Sequence, residues 1–380
     1  MNPHTADVVV VGGGVVGLSL AYQLASQGVD LVVVDQGPLG RGSSWAGAGM
    51  LAPPCALPPT DPLEVLRDLS VRLHADWALA LREQTGIDTG YRKCGGIEVA
   101  LTEAEAAELE EMRGRWHAAG IRFESMAGAD LARLESGLTS GILAAVHFPE
   151  KAQIRNPWHV RALVSAVSAR GVRLLPGCAV RSLVMSGERL VAVETEAGLI
   201  ACGQAVICAG AWSERVLAGV GVTVSTPPVK GQIVLLDAGG LAPGRIVEHG
   251  SQYLVPRQDG RVLVGSTEEH AGFDVRTTAV AIQELLDEAL RLYPDLEKAT
   301  VETAWAGLRP GSMDALPYLG AVPQRPGLFV ATGHLRAGLQ LSPGTAVVMA
   351  DLLMGRTPRI DLHPFRIERE PERQAPLFRS

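Results

Sequence analysis

The chain has 380 residues, of which 47% are hydrophobic and 20% are charged, and its formal net charge is −7 at pH 7. This length allows two domains with cores of their own, and the composition is that of an ordinary globular protein. The acidic balance, without any long run of Lys or Arg, argues against a nucleic-acid partner.

The cysteines and the N-terminal charges predict the cellular compartment of the protein. The five cysteines form no C-x-x-C pair, which predicts buried thiols in a reducing compartment rather than a disulfide framework or a metal site. The first Lys or Arg is Arg41, so a basic N-terminal region is missing and we expect no signal peptide. Five of the 22 residues between Asp7 and Asp30 are Gly, which argues against a membrane span. We therefore expect a cytoplasmic protein without bound metal.

The first 35 residues predict a dinucleotide-binding βαβ unit. The apolar run at residues 8–11 predicts a short buried strand, and a G-x-G-x-x-G turn follows at residues 12–17. Residues 18–25 predict a helix, and residues 31–34 predict a second strand. Because strand, turn, helix and strand occur in register, the motif is more specific than an isolated glycine-rich turn.

Each position of this motif has a predicted role. Gly12 permits the tight turn, Gly14 lets the backbone approach a pyrophosphate, and Gly17 lets the helix pack closely on the strand. The pyrophosphate would lie at the helix N-terminus, held by free N–H groups and the helix dipole. Asp35, at the end of the second strand, would accept hydrogen bonds from the adenosine ribose.

The middle of the chain predicts further helices and antiparallel strands. Thr102 and Glu105 form a capping box ahead of a helix that runs to Gly120, and Asn156-Pro157 starts another helix. Residues 229–236 predict a strand, and residues 253–257 and 261–265 predict a hairpin about an Asp-Gly turn. Apolar residues between 282 and 293 recur at helical spacing.

The end of the chain returns to αβ character. Residues 327–331 predict a buried strand, and Ser342-Pro343 predicts the cap of a helix that ends at Gly355. The tail from Arg356 mixes Arg and Glu without periodicity, so we expect a solvated surface segment.

We therefore predict an α/β fold, with a Rossmann-like nucleotide-binding domain built from discontinuous segments and an α+β substrate domain with a mixed, largely antiparallel sheet. Residues 1–84, 145–222 and 306–380 would form the first domain. Residues 85–144 and 223–305 would form the second.

Three further segments point to a flavin. Residues 41–51 are rich in small and hydroxyl side chains, residues 205–213 form a strand that ends in small residues, and residues 333–340 join the last strand to the last helix. Together they resemble the D-amino-acid-oxidase-like family of FAD enzymes, and within it the glycine-oxidising branch linked to thiamine biosynthesis. The resemblance extends from Val8 to about Arg366, and residues 305–320 are its most specific part.

The resemblance implies which residues bind the cofactor and the substrate. Arg309 would pair with the substrate carboxylate, Arg336 would be a second substrate-side arginine, and Tyr253 would line the pocket. Non-covalent FAD is implied, because the late motif region has no cysteine. Besides the glycine motif, the implied FAD contacts are Val15, Val16, Asp35, Gln36, Ser43, Ser44, Ala48, Gly49, Met50, Val180, His334, Leu335, Arg336, Ala337, Gly338, Leu339 and Gln340. Leu335 departs from the family's usual aromatic residue, and Asp35 from its common glutamate.

The local sequence supports the assignment of Arg309. Most arginines lie on the surface and form ordinary ion pairs. Arg309, however, lies between Trp305, Leu308 and Pro310, where an exposed charge is not expected. The proline also restricts the residue before it to an extended backbone. A guanidinium in an apolar setting requires a carboxylate, which its planar fork can bind bidentately.

The activity implied is oxidation of glycine, or of a small amine such as sarcosine or D-alanine, by hydride transfer to the flavin. Dioxygen would reoxidise the flavin and give hydrogen peroxide, and the imine would yield glyoxylate and ammonia or enter thiamine thiazole synthesis. Positive potential beside the flavin would come from the helix after Ser342 and from the N–H groups of Gly338 and Leu339.

Other functions remain open at this stage. A sarcosine oxidase or a D-amino-acid dehydrogenase would share the fold and most motifs. A pyridine-nucleotide disulfide reductase would need a second G-x-G-x-x-G and a redox cysteine pair, and the sequence has neither. A module that binds FAD without turnover is a non-enzymatic alternative, and the sequence leaves open whether the chain forms a homo-oligomer.

Overall fold

The structure is a computed structural model that describes residues 4–370 and 377–378. The strands are β1 His4–Val11, β2 Leu31–Val34, β3 Met50–Leu51, β4 Arg92–Lys93, β5 Gly96–Ala100, β6 Glu124–Met126, β7 Ala144–Phe148, β8 Ala152–Gln153, β9 Arg173–Leu175, β10 Val180–Ser186, β11 Arg189–Thr195, β12 Gly198–Ile207, β13 Pro228–Asp237, β14 Ile246–His249, β15 Gln252–Pro256, β16 Arg261–Gly265, β17 Thr300–Pro310, β18 Tyr318–Ala321 and β19 Leu328–Thr332. The α-helices are α1 Val15–Ala25, α2 Ser43–Ala46, α3 Pro62–Thr85, α4 Glu103–Ala118, α5 Gly128–Leu134, α6 Asn156–Ala169, α7 Ser213–Ala218, α8 Ala279–Leu292 and α9 Gly338–Leu353.

The first large sheet has a parallel centre, as the βαβ motif predicts. Strands β9, β2, β1, β12 and β19 pair in parallel, while β10, β11 and β18 add antiparallel edges. Val8 and Val10 pack against a layer that contains α1, α6 and α9, and Val9 and Val11 pack into the core on the opposite face. Burial on both faces explains why residues 8–11 of β1 form a continuous apolar run rather than an alternating one.

The second large sheet is antiparallel except for one pair. Its order is β17-β13-β16-β15-β14-β5-β7-β6, and only β14 and β5 run parallel. Val234 and Val264 lie in the core beneath α8, whereas Ile233 and Tyr253 pack on the other face with Ala48. That second face turns toward the nucleotide-binding segments and forms one wall of the site.

The capping box of α4 is confirmed. Thr102 Oγ1 accepts the N–H of Glu105 at 3.3 Å, and Glu105 Oε2 accepts the N–H of Thr102 at 3.0 Å. The helix ends at Ala118, two residues before the predicted end. The hairpin of β15 and β16, the strand β13 and the helix α6 also form where the sequence predicts them.

The predicted start of the last helix is wrong. Helix α9 begins at Gly338, and Pro343 lies inside it. A proline has no N–H for the helical bond to the carbonyl four residues earlier, which here is that of Leu339. The Ser342 hydroxyl donates to that carbonyl instead, at 2.9 Å. Because this side chain replaces the missing donor, the helix extends across the proline, and its N-terminus lies in the loop that carries Gly338.

The prediction of a solvated tail holds for residues 356–364, whose side chains are exposed or half-buried, but it is wrong for Phe365, Arg369 and Leu377. Phe365 is fully buried. Arg369 binds both oxygens of the Asp314 carboxylate, at 2.6 and 2.8 Å. The carbonyl of Leu377 accepts the indole N–H of Trp116 at 2.9 Å. Residues 371–376 and 379–380 lie outside the described part of the chain. Burial of these scattered side chains comes from tertiary contacts that local periodicity does not reveal.

The predicted fold class, α/β with a mixed second sheet, is confirmed. The division at residues 84/85, 144/145, 222/223 and 305/306 stays a prediction. Within the described residues, every helix is too short or too polar to cross a bilayer.

Candidate active site

One cleft of about 480 Å³ lies between the two large sheets, and it contains nearly all of the predicted site residues. Clefts of this size hold small ligands and cofactors. The predicted residues that line it are Gly12, Gly14, Val15, Val16, Asp35, Gln36, Ser43, Ser44, Ala48, Gly49, Met50, Val180, Tyr253, Arg309, His334, Leu335, Arg336, Gly338, Leu339 and Gln340. Gly17 and Ala337 are not on this lining; Gly17 packs behind the turn, where its predicted role places it.

The glycine-rich turn leaves no room for side chains at two of its positions. Gly12 has φ +112°, and a β-carbon there would lie 2.3 Å from the carbonyl oxygen of Cys208. A β-carbon on Gly17 would lie 2.0 Å from the carbonyl oxygen of Gly12. Helix α1 therefore approaches the turn as closely as a dinucleotide motif requires.

Asp35 is held in place by the turn that it faces. Its carboxylate accepts the N–H of Gly13 at 2.7 Å and the N–H of Gly37 at 2.8 Å. Burial raises the pKa of Asp35, and these two hydrogen bonds oppose that rise. An ionised carboxylate has about four lone-pair sites, so acceptor capacity remains for a ribose.

The segment after Asp35 closes over the turn. The N–H of Val15, at the start of α1, donates to Ser44 Oγ at 2.8 Å, so one of the predicted free N–H groups is already bonded within the protein. Gly49 has φ +75°, and a β-carbon there would lie 2.0 Å from the carbonyl oxygen of Ile154. The lining here is thus backbone and small side chains, which suits the close approach of a flat, elongated cofactor.

The N-terminus of α9 points its first turn at the same cleft. The leading N–H groups of a helix have no acceptor inside it, and the helix dipole adds positive potential there. The first residues, Gly338, Leu339 and Gln340, all line the cleft. Gln340 is fixed on two sides: its side-chain oxygen accepts the N–H of Ala52 at 2.6 Å, and its carbonyl oxygen lies 3.0 Å from Nε2 of His74.

His334 lines the cleft without being a suitable acid or base. It is fully enclosed, and its Nε2 lies 3.1 Å from Thr345 Oγ1. Burial lowers the pKa of His334 to about 3, so its imidazole is neutral at physiological pH.

Arg309 projects from β17 to the opposite wall of the cleft. Its Nη2 donates to Ser266 Oγ at 2.6 Å, and its Nη1 donates to the carbonyl of Thr267 at 3.1 Å. Burial lowers the pKa of Arg309. In the described part of the chain, no carboxylate oxygen lies within 4 Å of this guanidinium. The site thus contains a largely buried cation whose partners are neutral.

Arg336 and Tyr253 line the same end. Arg336 forms an ion pair with Glu268. The Tyr253 ring lies against Gly265, where a β-carbon would be 2.7 Å from the ring. The three residues to which the resemblance gives a substrate role are therefore brought together, although they come from distant parts of the sequence.

Several residues of the site are not among those that the sequence predicts. Gly231 supports the Arg309 guanidinium, Ser266 binds it, and Glu268 pairs with Arg336. A lone glycine inside a strand indicates the close approach of another group, so the sequence alone could have identified Gly231 as a candidate. The sequence could not have identified Ser266 and Glu268 in this way, because the residues that they bind lie more than 40 positions away in the chain.

Comparisons with known proteins agree with this geometry. Residues 7–352 match the DAO family of FAD dependent oxidoreductases. The glycine oxidase of Pseudomonas putida is 38% identical over 368 residues, which cover 95% of this chain and 98% of that protein. The bifunctional protein ThiO/ThiG of Nostoc sp. is 32% identical over 92% of this chain and 53% of that protein.

A solved structure has the same fold over nearly its whole length. The glycine oxidase of Geobacillus kaustophilus superposes with a TM-score of 0.93 at 34% sequence identity, covering 97% of this chain and 100% of that one. The predicted family and its FAD cofactor are thereby confirmed, and the glycine turn, Asp35 and the α9 N-terminus fit that cofactor. The chain belongs to the DAO family of FAD-dependent oxidoreductases.

Proposed function

We propose that this chain is a glycine oxidase that uses non-covalent FAD. The observation that carries the proposal is the Arg309 guanidinium, which is largely buried, is held by neutral partners and lies in the same cleft as the dinucleotide turn. Relatives that carry the name glycine oxidase, and that match nearly the whole chain, support this substrate.

Arg309 would hold the substrate carboxylate and so fix the direction of its Cα–H bond. A guanidinium has five N–H donors, and the bonds to Ser266 and Thr267 occupy part of them. The rest can grip a carboxylate. Fixing two reacting centres in line can contribute about 7–11 kcal/mol to catalysis, so orientation is the main task of the protein here.

When bound, FAD would supply the acceptor for the hydride from Cα and would be reoxidised by dioxygen, which gives hydrogen peroxide. The N–H groups at the start of α9 provide positive potential in the cleft, which would stabilise the negative charge of a reduced flavin. Because the helix begins at Gly338 rather than after Ser342, these groups lie directly on the lining.

On the described lining, the two carboxylates are already engaged, Asp35 with the glycine turn and Glu248 with Lys151, so neither is free to act as a general base. His334 has a lowered pKa and a neighbour at Thr345, so it remains neutral and engaged. The amine would accordingly react in its neutral form, and the imine would be hydrolysed to glyoxylate and ammonia. The name ThiO/ThiG of one relative supports a link of this product to thiamine thiazole synthesis. The five free cysteines support a reducing location, such as the cytoplasm.

The test is a panel of glycine, sarcosine, D-alanine and larger D-amino acids. Flavin bleaching is followed without oxygen, and peroxide is measured with it. We expect glycine to bleach the flavin and to yield peroxide in air. Bleaching without peroxide would make the protein a dehydrogenase, faster turnover of sarcosine would change the substrate, and no bleaching by any amine would leave only an FAD-binding module.

The Arg309→Ala variant tests the carboxylate receptor. We expect it to keep the flavin spectrum and to raise the glycine KM by about 100-fold or more, since the charge-assisted pair is lost. Arg276→Ala is the matched control, because Arg276 is exposed and pairs only with Asp274 in the described residues. Equal KM values for R309A and the parent would refute the role of Arg309.

A further inference from the structure

The ion pair of Arg336 and Glu268 lies at the edge of the cleft, and only Arg336 is on the lining. We propose that Glu268 sets the charge preference of the cleft: by neutralising Arg336, it makes the site favour amines with one carboxylate over amines with two. This inference rests on the proposed function for the identity of the substrate class.

The charges along the cleft lead to this conclusion. The charged residues on the described lining are Asp35, Arg41, Glu248, Arg309 and Arg336. Asp35 is bonded to the nucleotide turn, and Arg41 follows Gly40, whose N–H binds the carbonyl of Gly13 in that turn. These two charges therefore belong to the nucleotide end.

At the substrate end, two of the three remaining charged residues are neutralised by an ion pair within the protein. Glu248 pairs with the buried Lys151, and Arg336 pairs with Glu268. Arg309 has only neutral partners in the described part of the chain. The substrate end thus presents one unbalanced positive charge, which one carboxylate neutralises.

The two guanidiniums are close enough to affect each other. After burial and the influence of Tyr253, the next contribution to the pKa of Arg309 is a lowering by Arg336. The Arg336 bond is the largest cause that holds the pKa of Glu268 below its usual range, and Arg309 adds to it. Glu268 therefore stays ionised at neutral pH. If its charge were removed, the cleft would face the ligand with two cations, which is an arrangement suited to a dicarboxylate.

Glycine, sarcosine and iminodiacetate form a series in which the nitrogen carries H, CH₃ or CH₂COO⁻. A site with one unbalanced cation should accept the first two more readily than the third. The same preference should hold for ligands that do not react, such as acetate against malonate.

The experiment measures binding of acetate and malonate to the FAD-loaded protein by the change in flavin absorbance. In Glu268→Gln, we expect the ratio of malonate to acetate affinity to rise about tenfold over the parent, as expected when one close charge is removed. The ratio of kcat/KM for iminodiacetate and sarcosine should rise in parallel. Asp274→Asn is the matched control, because it removes a carboxylate from the same loop that pairs with Arg276 instead.

An unchanged or lower malonate-to-acetate ratio in E268Q would overturn the proposal, as would an equal rise in D274N. Should E268Q lose its FAD, Arg336→Gln decides the matter. In R336Q, the charge of Glu268 is no longer neutralised, so the ratio of acetate affinity to malonate affinity must rise above that of the parent. A lower ratio refutes the proposal. Binding of non-reacting anions does not require turnover, so a protein that fails to oxidise glycine can still pass or fail this test.

Discussion

The guanidinium of Arg309 occupies the space that a β-carbon on Gly231 would fill. Such an atom would lie 2.3 Å from Nη2 and 2.5 Å from Cζ and Nη1. Strands β13 and β17 pair so that Arg309 lies opposite Val229, and its side chain extends along β13 to reach Gly231. The absence of a side chain at this position is therefore a condition for the observed position of the Arg309 guanidinium.

Gly231→Ala should impair substrate binding without loss of the flavin. The methyl group would push the guanidinium away from its hydrogen bonds to Ser266 and Thr267. A displacement of about 1 Å at a positioning group can cost about 100-fold in rate. We expect kcat/KM for glycine to fall by about that factor, mainly through KM, while the flavin spectrum is retained.

Gly240→Ala is the control for this variant, because a β-carbon at Gly240 meets nothing within 4 Å in the described structure. If G231A and G240A have the same kcat/KM for glycine, then the contact between Gly231 and Arg309 does not position the guanidinium.

The nucleotide half of the site could be predicted from the sequence because its determinants are local. The glycine motif and Asp35 lie within 24 consecutive residues, and the bond from Gly13 to Asp35 and the contact of Gly17 with Gly12 both fall inside that stretch. The substrate half is different, since Arg309 depends on Gly231 and Ser266, which reach it only through the pairing of distant strands. The glycine inside β13 indicates a close approach, but no local pattern identifies Arg309 as the group that approaches, so the resemblance identified the arginine but not what holds it.

Gly17→Ala should weaken FAD binding more than it weakens the fold. The added methyl group would lie 2.0 Å from the carbonyl oxygen of Gly12 and 3.1 Å from Val10 Cγ1, so α1 and the turn must move apart. Overpacking of this kind costs about 1–3 kcal/mol, which corresponds to a rise of about 10- to 100-fold in the FAD dissociation constant. Fluorescence titration of the apoprotein with FAD measures this dissociation constant.

Gly114→Ala is the matched helical control. Gly114 is exposed in α4, and a β-carbon there meets nothing within 4 Å. The substitution should stabilise the fold by about 0.5–1 kcal/mol and leave FAD affinity as it is in the parent. A G17A protein that binds FAD as tightly as G114A would show that the close approach of α1 is not needed for the cofactor.

Helix α9 shows why the sequence misplaced one element. Proline usually marks a helix start, so Ser342-Pro343 predicted a cap, but the Ser342 hydroxyl replaces the donor that Pro343 lacks. This replacement of a backbone donor by a side chain depends on the rotamer of Ser342, which composition does not reveal. The difference changes the lining of the cleft, because the N-terminus at Gly338 brings the first turn of α9 to it.

This exchange predicts coupling between Ser342 and Pro343. Ser342→Ala should cost about 1 kcal/mol of unfolding free energy, since the buried carbonyl of Leu339 loses a donor. In a Pro343→Ala background, the restored N–H can serve that carbonyl, so the same substitution should cost less. Urea unfolding of the four proteins measures the coupling energy, which we expect to be about 0.5–1.5 kcal/mol. Additive effects would show that the hydroxyl does not replace the backbone donor.

His249 predicts how stability changes with pH. Its Nδ1 lies 2.6 Å from Glu288 of α8, and its Nε2 lies 3.1 Å from Glu105 of α4. The bond to Glu288 is the largest cause that raises the pKa of His249, although burial opposes it and Arg291 also binds Glu288. A histidine whose pKa is raised in the fold contributes stability that is fully present below its unfolded pKa, about 6.5, and lost as pH rises through the folded value.

We therefore expect Tm to fall as pH rises above about 6.5. We expect His249→Gln to remove this contribution to the slope of Tm against pH, because Gln keeps hydrogen-bonding capacity but cannot become charged. The difference in Tm between the parent and H249Q should be largest in mild acid and should shrink toward alkaline pH. His117→Gln is the control, since His117 is exposed at the end of α4. A parent and an H249Q protein with parallel Tm profiles would mean that the imidazolium does not link α4, α8 and the second sheet.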